Sequence, residues 1–232
     1  SRLGNVDKSN LLVEELLSLS PQHNETLMLK AFNLSKAGNL EEAKQIYLDI
    51  LTLTPSNTGA RERVSSLYQQ QGDTKNALYH LDLLIKDDFD NADYLLRKAA
   101  LQLEAGQRAD AEKTLSIVRN FINDDAGKLI AYADQARSVD NDENALDAMA
   151  RAYEIANTST FVTLRYVSLL LDMQNNDKAQ SLLTTIPANQ QQNPVYYFLK
   201  GRLAANKGNS EQAIKEFEKA LDVDATFAQA FV

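Results

Sequence analysis

The sequence predicts an all-α fold, a solenoid of helix-turn-helix repeats, and two columns of small residues carry this prediction. Alanine recurs every 34 residues along the chain, from Ala43 to Ala213, and no repeat shifts this register. Glycine stands five positions before most of these alanines, and Asp140 and Gln174 replace it in the fourth and fifth repeats. The columns are Ala43, Ala77, Ala111, Ala145, Ala179 and Ala213, and Gly4, Gly38, Gly72, Gly106 and Gly208. A fixed period of this length is typical of stacked helical hairpins.

The alanine column defines six complete repeats when Ala43 is taken as position 20. They are 24–57, 58–91, 92–125, 126–159, 160–193 and 194–227. Residues 1–23 fit the second half of an earlier repeat, and 228–232 begin a further one. We therefore expect residues 1–232 to form a single solenoid that is a fragment of a longer protein.

Each repeat is predicted to contain two helices joined by a tight turn. In the first repeat, Glu25–Lys36 carries apolar residues at helical spacing and ends at a glycine. Glu41–Leu53 forms the second helix, which Pro55 ends. In the fifth repeat Pro187 shortens the second helix, and Ala188–Pro194 is a polar connection, either a flexible joint or an ordered turn.

The alanine column has a packing reason, because two helices approach closely only where the side chains in contact are small. The facing column of the first helix is Ala31, Ser65, Ala99, Ala133, Val167 and Gly201. Large partners recur at position 24, as Tyr47, Leu81, Leu115, Met149, Leu183 and Phe217. Small residues against large ones at a fixed period fill the core of a stacked helical pair.

Both ends are expected to expose apolar surface. Leu11, Leu12, Leu16 and Leu17 lie on a second helix that lacks its first helix, and Phe231–Val232 is apolar where terminal repeats are normally polar. Because exposed apolar faces seek contacts, end-to-end self-association is predicted.

Composition and motifs disfavour several classes of function. The net charge of -8 disfavours nucleic acid and anionic membranes as partners, since both require basic surface. No stretch of 18 apolar residues exists, so no direct membrane insertion is expected. There is no cysteine, and His23 and His80 are too far apart in the repeats to share a metal. Segment 88–92 breaks the calcium-loop pattern, and no catalytic triad or nucleotide-binding motif occurs. We expect no enzyme activity, no catalytic residues, no metal and no cofactor.

The columns resemble the tetratricopeptide repeat (TPR) family, in its bacterial-type tandem arrays, over essentially the whole chain. The first repeat matches best, through Leu27, Ala31, Gly38, Ala43, Tyr47, Ile50 and Pro55. Lys30, Lys98 and Lys200 depart from the pattern at a position where leucine is usual. The resemblance implies a right-handed α-α superhelix whose concave wall is formed by the first helices of the repeats.

That geometry points positions 2, 5, 6, 9, 12 and 13 into the groove. Position 5 is mainly apolar and holds Met28, Leu96, Ile130, Leu164 and Phe198, with Glu62 in the second repeat. Such a row suits an extended or helical peptide. The alternative is that the row packs against the neighbouring repeat.

Arginines add charge to the same wall. Arg63, Arg97 and Arg165 occupy position 6, and Phe32 and Arg202 occupy position 9. Arginine binds carboxylates in a bidentate manner, so an acidic protein or peptide partner is predicted. The carboxylate clamp of TPR chaperone adaptors is not carried over, because its Lys and Asn are missing. The alternative is that the arginines pair with acids of this chain, such as Glu62 and Asp93.

The leading hypothesis is a non-catalytic protein–protein interaction scaffold that binds a partner segment in its concave groove. The alternative, by analogy to long bacterial TPR arrays, is an envelope component that organises exopolysaccharide export or protein sorting. A regulatory array attached to an enzyme is a third hypothesis. This alternative would place the protein in the bacterial cell envelope, in the periplasm. A cytoplasmic location is the other option.

Overall fold

The computed structural model describes residues 2–122 and 124–227, and within these residues it contains thirteen α-helices, one short 3-10 helix and no strand. The helices are α1 Arg2–Leu19, α2 Asn24–Lys36, α3 Leu40–Leu53, α4 Thr58–Gln70, α5 Thr74–Asp87, α6 Ala92–Glu104, α7 Arg108–Phe121, α8 Ala126–Ser138, α9 Asp142–Ile155, α10 Thr160–Asp172, α11 Asn176–Thr185, α12 Pro194–Asn206 and α13 Ser210–Val223. The predicted all-α fold of stacked helical repeats is confirmed.

The helix starts follow the alanine register. The first helices of the six repeats begin at Asn24, Thr58, Ala92, Ala126, Thr160 and Pro194, which reproduces the interval of the alanine column. The second helices keep the same interval, from Leu40 to Ser210. Helix α1 takes the place of a second helix, but it continues through Gly4, because glycine permits a turn without requiring one.

The chain divides into two compact units, Ser1–Ile117 and Val118–Val232. The N-terminal unit contains α1 to α6 and most of α7, and the C-terminal unit contains α8 to α13. That residues 1–232 are one solenoid and a fragment of a longer protein stays a prediction.

The turn between the two helices of a repeat uses one left-handed residue. Gly38, Gly72, Gly106 and Gly208 have φ between 72° and 88°. The residues that replace glycine adopt the same conformation, with φ of 59° at Asp140 and 56° at Gln174. The turn geometry is therefore retained in the repeats that lack glycine, where a side chain makes it less favourable.

The alanine column of the second helices and the facing column of the first helices are both buried, and they meet in the core of the repeats. Each alanine of the column that defines the repeats is at most 4% exposed. The hydroxyl of Ser65 donates to the carbonyl of Ala77 at 2.9 Å, which joins the two columns across one repeat. At Gly201 an added Cβ would clash with the ring of Phe217. The helices of each pair are thus as close as their small residues allow.

Helix α11 has 10 residues, whereas the other second helices of the complete repeats have 14. After its end, Ala188–Gln190 forms a 3-10 turn, and the Gln191 amide donates to the carbonyl of Ile186 at 2.9 Å. The polar connection is therefore an ordered turn in this structure.

Helix α1 presents an apolar face, because Leu11, Leu12 and Leu16 are exposed while Leu17 is partly buried. The other predicted apolar end, 231–232, lies outside the described residues. End-to-end self-association stays a prediction.

We expect Gly201→Ala to destabilise the protein by about 1–3 kcal/mol, although alanine favours helices, because the new methyl group overpacks against Phe217. Urea unfolding measures the loss. A second substitution, Phe217→Leu, removes the ring and should recover most of it. Equal or greater stability of Gly201→Ala alone would contradict the tight contact.

We expect His80 to make the stability of the N-terminal unit depend on pH. Its ring is buried, stacks on Tyr68 at 5.7 Å between centroids, and leaves Nδ1 without a hydrogen-bond partner among the described residues. Burial, and then the charge of Arg61, lower the pKa of His80 below its ordinary value of 6.5. The unfolded chain therefore binds a proton more readily than the folded one, so this contribution is complete above pH 6.5 and is lost as the pH falls.

We expect His80→Phe to flatten the fall in unfolding free energy between pH about 6.5 and 5, a window above the titration of most carboxylates. His23→Gln is the matched control, since the His23 ring is half-exposed and lies beside Thr26. Denaturant unfolding at each pH measures the slope. A wild-type slope retained in His80→Phe would contradict this assignment.

Candidate functional site

The predicted apolar column at position 5 is largely engaged in packing. Leu96 and Leu164 are only 6% and 5% exposed. Met28 packs against a buried apolar cluster that includes Ala31 and Tyr47, and Ile130 is partly buried. The ring of Phe198 lies 5.7 Å from that of Phe217 and 5.8 Å from that of Phe227. This column therefore offers a partner little free apolar surface, and its role in binding stays a prediction.

In the N-terminal unit, two arginines of position 6 differ in environment. Arg63 is exposed and lies over the ring of Phe32 at 5.7 Å. Arg97 is half-buried and donates to the hydroxyl of Ser65 at 3.1 Å. Burial lowers the pKa of Arg97, and the nearby carboxylate of Glu62 opposes this shift.

Glu62 also receives a hydrogen bond from the hydroxyl of Tyr94 on the next first helix. Burial and then this bond raise the pKa of Tyr94 to about 12, so the phenol stays protonated and donating. Arg97, Ser65, Glu62 and Tyr94 thus join the first helices α4 and α6.

In the C-terminal unit, polar contacts join three successive first helices, α8, α10 and α12. Arg165 pairs with Asp134. Asp172 accepts from two guanidinium groups, that of Arg137 at 2.7 Å and that of Arg202 at 2.5 Å. Pairing with acids of the same chain, the predicted alternative for the arginines, is thus present at Arg165 and Arg202.

The acids of these pairs were not predicted from the sequence. Asp134 and Arg165 are 31 residues apart, and Asp172 and Arg202 are 30 apart. The sequence did contain a signal for these pairs. In each, a carboxylate on one first helix precedes an arginine on the next first helix by slightly less than one repeat. Arg137 lacked this spacing and would have been missed.

The C-terminal unit also contains a cleft of about 330 Å³ between α8, α10 and the start of α12, which we name the first-helix cleft. Its lining residues are Ala133, Asp134, Arg137, Met149, Thr160, Phe161, Leu164, Arg165, Ser168, Leu169, Asn193 and Val195. Two predicted residues, Leu164 and Arg165, belong to it. Phe161 stands at position 2, is 64% exposed and was not predicted.

The first-helix cleft combines an apolar interior with charged groups on one side. Met149 and Leu169 contribute buried apolar surface, and Phe161 adds an exposed ring. Arg137 and Arg165 line the same cleft. The volume lies at the lower end of the range of ligand pockets and suits one large side chain of a partner.

Neither a metal centre nor a membrane span is found in the described part of the chain. Within residues 2–122 and 124–227, no group of three or more His, Cys, Asp or Glu side chains is arranged to hold a metal ion. None of the helices in that range combines the length and the apolar character that a membrane span requires.

Comparisons with known proteins agree with this architecture. Two models described as tetratricopeptide repeat match the chain, one over residues 53–230 and the other over 25–57. The C-terminal part of a TPR repeat-containing protein from Cytophaga hutchinsonii superposes with a TM-score of 0.74 at 9% identity, covering 99% of this chain and 95% of that one. At this identity the likeness shows the fold alone.

Two curated proteins are similar in sequence. The TPR repeat-containing thioredoxin TTL4 of Arabidopsis thaliana is 35% identical over 80 residues, which are 34% of this chain and 12% of that protein. The tetratricopeptide repeat and J domain-containing co-chaperone DNJ1 of Mycosarcoma maydis is 24% identical over 94% of this chain and 41% of its own length. The chain therefore spans less than half of either relative.

We expect Arg97→Ala to lower the unfolding free energy by about 1–3 kcal/mol, because it removes a half-buried guanidinium that donates to Ser65 and lies near the carboxylate of Glu62. Arg63→Ala is the matched control at the same position of the previous repeat and should lower it by less than about 1 kcal/mol, since Arg63 is exposed. Urea unfolding compares the two. Equal losses of unfolding free energy in the two variants would contradict a structural role for Arg97.

Proposed function

This chain belongs to the tetratricopeptide repeat family, and from that premise we propose that it is an interaction scaffold whose first-helix cleft binds a segment of an acidic partner. Members of this family are generally protein-interaction scaffolds without catalytic activity. The observation that carries the proposal is a cleft lined by the first helices of three successive repeats, with apolar walls and two flanking arginines, Arg137 and Arg165.

The exposed ring of Phe161 supports a partner with an apolar anchor. A large aromatic side chain that is 64% exposed beside a concave cleft is the kind of residue that dominates binding energy when a partner covers it. Leu164 and Met149 would form the bottom of the contact, where an inserted side chain loses its water.

The charge balance supports an acidic partner. Three guanidinium groups, those of Arg137, Arg165 and Arg202, face two carboxylates, Asp134 and Asp172, which leaves one positive charge in excess among these described groups. The chain as a whole carries -8, so this wall is a local exception. A carboxylate of the partner would contact planar guanidinium groups, whose paired N–H donors match the two oxygens of a carboxylate.

The names of the curated relatives support the role of a module within a larger assembly, since they place the same repeats beside a thioredoxin and a J domain. Of the predicted groove residues, the proposal rests on Leu164, Arg165 and Arg202. The role of the envelope component stays a prediction from the sequence.

The test is selection of short peptides from a random display library on the immobilised protein, followed by fluorescence anisotropy with the enriched peptides. We expect enrichment of Asp or Glu beside a large apolar residue. Phe161→Ala and Arg165→Ala should each weaken binding by about tenfold or more, and added salt should weaken it further.

Phe89→Ala is the matched control, because Phe89 is 65% exposed and lies in the other unit. It should leave affinity unchanged. Enriched peptides that bind both cleft variants as tightly as wild type would place the binding surface elsewhere, and enrichment of basic peptides would contradict the charge argument.

A further inference from the structure

A second cavity of the C-terminal unit shares no residue with the first-helix cleft. It has a volume of about 400 Å³ and lies between α11, α12 and α13. We name it the α12 pocket. Leu183, Tyr196, Leu203 and Ala204 provide apolar walls, and Lys200 and Lys207 line it with ammonium groups.

Two positions of the α12 pocket differ from their equivalents in the preceding repeat. One repeat earlier, these positions hold Tyr166 and Leu170, which are 1% and 0% exposed, and the corresponding cavity of about 350 Å³ is lined by Tyr166. Lys200 and Ala204 occupy these positions in the last repeat. Lys200 is also one of the three lysines at the usual leucine position, so the departure from the family pattern and the cavity coincide.

A buried carboxylate organises the charges of the α12 pocket. Glu216 is 2% exposed, and its Oε1 meets Lys200 Nζ at 3.3 Å, Lys219 Nζ at 3.1 Å and Gln212 Nε2 at 2.6 Å. All three nitrogens converge on one oxygen, and Oε2 has no partner within the described part of the chain. Two ammonium groups therefore face one buried carboxylate.

The rim adds a third cation. Lys207 lines the pocket and donates to the side chain of Gln180. It also pairs with Asp177 at 3.8 Å, an acid that is fully exposed, so solvent weakens that pair. Among these described side chains, three lysines against Glu216 and this surface acid leave one net positive charge around an apolar cavity.

We propose that the α12 pocket binds a small organic carboxylate with an apolar body. The Lys200 ammonium turns from Glu216 to the ligand's carboxylate, while Glu216 keeps Lys219 and Gln212. The apolar body packs on Leu183, Leu203 and the ring of Tyr196, over which the Lys200 ammonium lies at 5.5 Å. A charge-assisted hydrogen bond beside such walls is stronger than one in water.

The experiment uses three fluorinated probes that share one apolar body: 4-(trifluoromethyl)phenylacetate, its primary amide and 4-(trifluoromethyl)phenethylamine. Titration into the intact chain, followed by fluorine NMR, measures each dissociation constant. We expect the carboxylate to bind most tightly and the amine at least about tenfold more weakly.

Variants separate the pocket from other apolar surface. Ala204→Phe fills the cavity and should abolish binding of all three probes, and Lys200→Met should remove the preference for the carboxylate. Glu216→Gln removes the competing anion and should tighten carboxylate binding several-fold without affecting the amide. Lys178→Met is the matched control, since Lys178 lies in the same unit outside the pocket.

Thermal unfolding checks that each variant is folded. If Lys200→Met does not fold, Glu216→Gln still tests the proposal. Absence of binding to the wild type, equal binding of the amine, or weaker carboxylate binding by Glu216→Gln would each overturn the proposal.

Discussion

The close approach of two helices within each repeat is the constraint on which the rest of the structure depends. It pairs an alanine on the second helix with a first-helix residue that is small in five of the six repeats, as at Ala77 and Ser65. Because this contact buries one face of each helix, only the other faces can pack against neighbouring repeats or remain accessible to a partner. Where the small residue is glycine, as at Gly201, a large ring takes the vacated volume. The positions of the first-helix cleft and of the α12 pocket both follow from this division of faces.

Stacking and the proposed recognition share polar residues in the C-terminal unit. Asp134 and Asp172 hold arginines of the next first helix, and those arginines are also the groups that a partner carboxylate would contact. An incoming acid therefore competes with contacts between repeats, which reduces the net gain from each new ion pair. The apolar contact at Phe161 carries no such competition, so we expect it to contribute more to affinity and the arginines more to partner selection.

The helix register was predictable from the sequence because it depends on a period and on small residues, both of which are local features. The glycine turns were predictable as well, whereas the left-handed conformation of Asp140 and Gln174 was not predicted. The partners of the arginines were not, because pairing across nearly a whole repeat depends on how successive first helices are offset. The burial of Leu96 and Leu164 agrees with the packing alternative that the sequence left open, since position 5 lies at the border between groove and packing surface.

The two non-glycine turns of the C-terminal unit are expected to lower local stability in the repeats that contain them. A left-handed residue with a side chain costs about 1 kcal/mol more than glycine, and Asp140 and Gln174 place this strain in two adjacent repeats. In a linear array, where each repeat contacts mainly its neighbours, such a pair is where transient opening concentrates. The first helices of those repeats, α8 and α10, line the first-helix cleft. The wall proposed to meet a partner would thus also be the part of its unit that adjusts most readily to an inserted side chain, whereas the repeat turned at Gly208 keeps an unstrained turn.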